Sequence, residues 1–183
     1  MTSKSPAMQG FFERKGTNMY IIYESDSGFT KRYAEAFAEK TGLECHSLYM
    51  ARIKVPKESD VIFFGRVMQD EIDGLKKARK KYNVLAVCPV GLRMPTNAVK
   101  ETLAEKNELT DNLPKLFYLR GGFDPEQNKG LEKTLINLII GDLERNEEDL
   151  DAVDAQYLSD LRNGADYVNE DNLAALLDWY EKC

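Results

Sequence analysis

Hydrophobic and polar positions along this chain switch repeatedly between two periods. Met19-Tyr-Ile-Ile-Tyr23 is a short apolar run rich in β-formers and predicts a buried strand. Ser25, Asp26, Ser27 and Gly28 turn the chain, and from Thr30 the apolar positions Tyr33, Ala34, Phe37 and Ala38 recur at helical spacing. Gly42 stops that helix. Leu43 to Tyr49 alternates apolar and polar, as a strand with one buried face does. Asp60-Val-Ile-Phe-Phe-Gly65 and Asn83-Val-Leu-Ala-Val-Cys-Pro-Val90 are continuous apolar runs, the pattern of strands buried on both faces. Pro89 is tolerated because that ladder is finishing. Lys115 to Arg120 reads as a fifth strand, closed by Gly121 and Gly122. Helices are expected from about Ile72 to Lys81, around Val99 and Leu103, and from about Gln127, the last with Leu131, Leu135, Leu138 and Ile139 on one face.

Strands alternating with helices predict an α/β fold: a parallel sheet covered on both sides through right-handed crossovers. Ligands of such sheets bind beyond the C-terminal strand ends, at the switch point. The loops Glu24–Phe29, Arg66–Glu71 and Gly91–Thr96 converge there, with Gly121–Phe123 as a fourth. Beyond them, Glu144 to Asp151 is acidic, helix-prone and expected to be solvated. Asn163-Gly164 reads as a turn. Asp171 is the expected N-cap of a last helix carrying Leu173, Leu176, Leu177 and Tyr180. Residues 1–18 are polar and aperiodic and read as a flexible extension to one domain over residues 19–183.

Composition narrows the class. The 183 residues are 43% hydrophobic and 31% charged, the balance of a soluble globular domain. No apolar run approaches the roughly 18 residues of a transmembrane segment. A net charge of −6 argues against nucleic acid as a partner. The basic clusters Lys76-Lys77 and Arg79-Lys80-Lys81 read as the solvated face of one helix. Cys45, Cys88 and Cys183 form no paired motif, which fits a reducing cytoplasmic setting. One histidine, His46, and no Cys-x-x-Cys argue against a zinc site.

The first turn carries the chemistry. Ser25, Ser27 and Thr30 offer hydroxyls, and the N–H groups of Asp26, Ser27, Gly28, Phe29 and Thr30 point into one concavity at a helix N-terminus. The loop holds no lysine or arginine, and neither the dinucleotide glycine pattern nor the GK[ST] loop is present. Those features suit a single phosphate held by neutral donors. The bland alternative is a serine-rich helix cap.

Ile21 to Thr30, followed by Ala34, closely resembles the FMN-phosphate signature of flavodoxins. Leu119-Arg-Gly-Gly-Phe123, Val90-Gly-Leu92 and Ala165-Asp-Tyr-Val168 look like the flavodoxin-domain group that includes menaquinone-dependent protoporphyrinogen oxidase. The resemblance implies a three-layer α/β/α fold with a five-stranded parallel sheet of order 2-1-3-4-5 and an extra C-terminal helical segment. It also implies FMN as cofactor, its ring between the loops Arg66, Val67, Met68 and Val90, Gly91, Leu92, Arg93. Neither loop holds an aromatic, so the ring would stack on Met68 or Leu92. Arg66 and Arg93 would stabilise charge on the reduced ring or bind a carboxylate-bearing substrate. The implied activity is an oxidoreductase passing electrons from a small-molecule substrate through FMN to a quinone or other acceptor. The alternatives are an electron carrier with a redox partner protein and an FMN-free interaction domain.

Overall fold

The computed structural model describes residues 19–109 and 114–183, so the extension expected over residues 1–18 lies outside the described residues. The chain runs β1 (Tyr20–Glu24), α1 (Phe29–Thr41), β2 (Cys45–Ser47), α2 (Leu48–Lys54), β3 (Asp60–Met68), β4 (Glu71–Ile72), α3 (Leu75–Arg79), β5 (Asn83–Gly91) and α4 (Asn97–Lys106). It continues through β6 (Lys115–Leu116), β7 (Leu119–Arg120), β8 (Gly122–Phe123), α5 (Gly130–Arg145), α6 (Ala152–Asn163), β9 (Ala165–Asp166) and α7 (Ala174–Lys182).

The protein is α/β, with a mostly parallel central sheet flanked by helices. Its order is β2-β1-β3-β5-β6, with β7 also paired in parallel to β5 and the two-residue β4 antiparallel to β3. Ile22 opposes Phe63, and Phe63 opposes Val87, so alternate strand residues feed opposite faces. One face buries Ile22, Phe63 and Val87 against Leu48, Ala51, Leu75, Ala78 and Leu103 of α2, α3 and α4. The other buries Ile21, Ile62, Phe64 and Cys88 against Tyr33, Ala34 and Phe37 of α1 and Leu176 of α7. Both faces of β3 and β5 are covered, which explains their unbroken apolar runs.

Several elements differ from their sequence patterns. The alternation at 43–49 yields only a three-residue strand, because the Ser47 hydroxyl accepts the Met50 N–H and starts α2. The helix expected from Ile72 begins at Leu75, because Ile72 pairs with Val67 and Gly74, at φ 80°, redirects the chain. The fifth strand is split in two around Phe117 and Tyr118. Helix α5 starts at Gly130 rather than Gln127, since Asp124 ties Glu126 and Gln127 into a turn. Its apolar face is not core: Leu131 and Leu138 are 90% and 67% exposed, and Ile136 is buried instead. The last helix is preceded by a 3-10 turn (Glu170–Leu173), capped by Asn169 rather than Asp171.

The acidic segment is exposed, as expected, and its carboxylates also find partners. Glu144 and Glu147 both bind Arg162, and Asp151 caps α6. Helices α5 and α6 form a helical hairpin inserted between β8 and β9, two strands that pair with each other. No helix among the described residues is long and apolar enough to cross a membrane.

Candidate functional site

Helix α1 begins without a side-chain cap. Its N-cap is Gly28, left-handed at φ 91°, and Ser25 Oγ accepts the Gly28 N–H at 3.2 Å within the turn. The N–H groups of Phe29, Thr30 and Lys31 meet no acceptor among the described residues. The hydroxyls of Ser27 and Thr30 have no hydrogen-bond partner there either. Three backbone donors and two hydroxyls thus stand together at the positive end of a 13-residue helix.

This turn opens into a cavity of about 600 Å³. Asp26, Ser27, Phe29, Thr30, Arg66, Val67, Met68, Val90, Gly91, Leu92 and Arg93 all line it, so the three loops read from the sequence meet around one space. Ser25 and Gly28 do not line it; they build the turn. The loops meet because β1, β3 and β5 are neighbouring parallel strands and each ends at the same edge.

Arg66 is committed to protein partners. Its guanidinium contacts Asp26 at 3.0 Å, Asp73 at 2.9 Å and Glu132 at 2.8 Å. Burial works against its charge, but Asp73 and Glu132 outweigh that and hold its pKa above the usual arginine value. It ties the first turn to the start of α5. Arg93 pairs with Asp154 of α6 at 3.0 Å and lies 4.9 Å from the Tyr157 ring centre. Glu24, which ends β1, has its pKa raised by burial and then by Asp26.

The sequence did not reveal the rest of the wall. Tyr118, Tyr157, Asn128, Ile136 and Leu161 also line the cavity. Tyr118 donates to the Arg93 carbonyl at 2.8 Å, and its ring sits against Gly91, where a Cβ would lie 2.5 Å from the hydroxyl oxygen. Burial raises the pKa of both tyrosines. The aromatic groups missing from the two loops are therefore supplied from the split fifth strand and the hairpin. Tyr118 was legible only as a strand residue, and Tyr157 carried no local signal. The cavity so built has an anion-ready end at α1 and an apolar, tyrosine-walled end under α5 and α6.

Other candidates lie elsewhere. Cys88 is buried among core side chains, His46 bonds Glu44, and Trp179 packs on Phe117 with ring centres 5.6 Å apart. Among the described residues, no cluster of three or more His, Cys, Asp or Glu is arranged to hold a metal ion. No family model matches the sequence, and no curated protein matches it.

Proposed function

We propose that this chain is a flavodoxin-like, FMN-binding oxidoreductase that passes electrons from a small-molecule substrate to a quinone or similar acceptor. One observation carries the reading: the unpartnered donors of Ser27, Phe29 and Thr30 open into the same cavity as the loops after β3 and β5. A dianionic phosphate satisfies such donors without a cation, and Arg66 is already held by three carboxylates. Leaving out the antiparallel β4 and counting β6 and β7 as one position, the parallel strands run in the order 2-1-3-4-5 of flavodoxin-like sheets, whose ligand sits at the switch point.

In this reading the Ser27 and Thr30 hydroxyls and the first N–H groups of α1 hold the phosphate. Arg66 to Met68 and Val90 to Arg93 flank the ring. The flavin supplies the electron chemistry; the chain supplies binding, orientation and exclusion of water. Val67, Met68, Val90 and Leu92 present apolar surface for a flat ring. The cavity continues from these loops to Tyr118, Tyr157 and Leu161, giving a small substrate or acceptor a place beside the ring. That extension favours an enzyme over a carrier. A flavodoxin-type carrier is the second reading, favoured by the net charge of −6, which suits docking to a basic partner.

The test is direct. The purified protein, alone or after addition of FMN, is expected to show flavin absorbance in the visible range. Ser27→Ala/Thr30→Ala is expected to weaken FMN by at least roughly tenfold. No uptake of FMN would overturn both redox readings and leave an interaction domain. Turnover of a porphyrinogen-type donor with a menaquinone analogue separates the enzyme from the carrier.

A further inference from the structure

Among the described residues, Asn128 Oδ1 is the one buried side-chain polar atom with no hydrogen-bond partner. It belongs to the cavity wall. A buried carbonyl oxygen left unpaired costs stability, and native folds rarely keep one without a use.

Its position relative to the first turn is fixed from both sides. Gly122 lies so close to Phe29 that a Cβ there would come within 2.5 Å of the ring. Glu132 is tied through Arg66 to Asp26. The segment carrying Asn128 therefore runs beside the anion-ready end of the cavity. Asp124 already satisfies the Glu126 N–H and the Gln127 amide, so the turn before Asn128 is complete without it.

We propose that Asn128 reads the hydroxylated chain of the ligand: its Oδ1 accepts a hydrogen bond from a hydroxyl of the ribityl chain of FMN. The inference rests on the FMN reading. An unpaired acceptor calls for an O–H or N–H donor. A dianionic phosphate has none to give. The donors of the ring belong with the loops after β3 and β5. Hydroxyls between phosphate and ring are the donors that remain beside this wall. The unpaired oxygen is then the stability cost of a binding contact.

The assignment separates ligands that differ only in that chain. Fluorescence titrations with FMN, riboflavin and lumiflavin, the bare ring, compare wild type with Asn128→Leu and Asn128→Ala. Both variants are expected to lose roughly tenfold affinity for FMN and riboflavin and none for lumiflavin. The ligand-free Asn128→Leu protein is expected to melt higher than wild type. Unchanged FMN affinity, an equal loss on all three ligands, or a lower melting point would overturn the role of Asn128 and leave the FMN reading standing. Failure of the wild type to bind any of the three would overturn both.

Discussion

Arg120 Nη2 lies 3.3 Å from Asp160 Oδ2, and the two side chains are 18% and 5% exposed. This pair joins β7 to α6. Asp160 also accepts from Tyr167 at 2.9 Å and Gln156 at 2.8 Å, while the Arg120 guanidinium lies 3.4 Å from the Tyr167 ring centre and donates to the Leu92 carbonyl. Arg66 with Glu132 and Arg93 with Asp154 repeat the arrangement. In each case an arginine near the C-terminal end of a strand holds a carboxylate of the helical hairpin. The hairpin is clasped over the strand ends at three points, and those points flank the cavity.

The clasps differ in burial and therefore in energy. Asp160→Ala leaves a part-buried guanidinium without its carboxylate and is expected to cost about 3 kcal/mol in urea unfolding. Asp154→Ala breaks a half-exposed pair and is expected to cost under about 1 kcal/mol. Equal losses would mean that Arg120 and Asp160 do not anchor the hairpin.

Gly91 and Tyr118 are sterically coupled. Gly91→Ala places a methyl against the Tyr118 hydroxyl, strains its bond to the Arg93 carbonyl and is expected to cost roughly 1–3 kcal/mol. Tyr118→Phe removes the oxygen and is expected to relieve part of that cost. A double-mutant cycle by thermal or urea unfolding measures the coupling, and strict additivity would dispose of the steric account.

Glu24 gives a pH signature. Burial and the neighbouring Asp26 raise its pKa above the ordinary 4.5, against Lys77 and Arg52. The folded state thus disfavours its charge. The resulting penalty is absent below pH 4.5, where the unfolded carboxyl is also protonated, and grows as pH rises through the folded pKa. Glu24→Gln is expected to stabilise the protein at pH 7 and to leave it unchanged at pH 4. Urea midpoints at the two values check the sign.

Thiol reactivity follows burial. Burial, with Glu35 adding to it, pushes the Cys45 thiol up to about 12, and burial also raises the fully buried Cys88 well above the usual thiol value. Cys183 is exposed. The native protein at pH 8 is expected to release one equivalent of chromophore quickly with a disulfide reagent, and the denatured protein three, the full count of cysteines. Fast labelling of a second thiol in the native state would contradict the packing around Cys45.

The α/β alternation was legible because the strongest signals are local. Val61 to Phe64 and Val84 to Val90 are apolar on every residue, and only strands buried on both faces need that. The cavity's three loops followed from the same pattern, since parallel neighbours must end together. What escaped were features decided at a distance. Leu131 and Leu138 sit at helical spacing with Leu135, yet α5 packs through Ile136 because Glu132 is drawn to Arg66. Tyr157 reaches the cavity on a helix held by the distant Arg93–Asp154 and Arg120–Asp160 pairs. The acidic run at 144–151 is solvent-facing, as its composition suggests, but nothing local shows that Arg162, one helix away, binds Glu144 and Glu147.

The face of the sheet carrying Tyr33 and Phe37 has a consequence for the order of synthesis. Tyr33 donates to the Arg120 carbonyl and accepts from Asn172, while Leu173 and Leu176 are fully buried beside it. A ribosome-bound chain extended only to Gly164 already contains the sheet strands and the helices of one face, but the opposite face still shows bare aromatic surface to water. That layer closes when residues 167–176 emerge. Until then the nascent chain presents a sticky half-core, the kind of intermediate that chaperones retain and that truncation would make permanent.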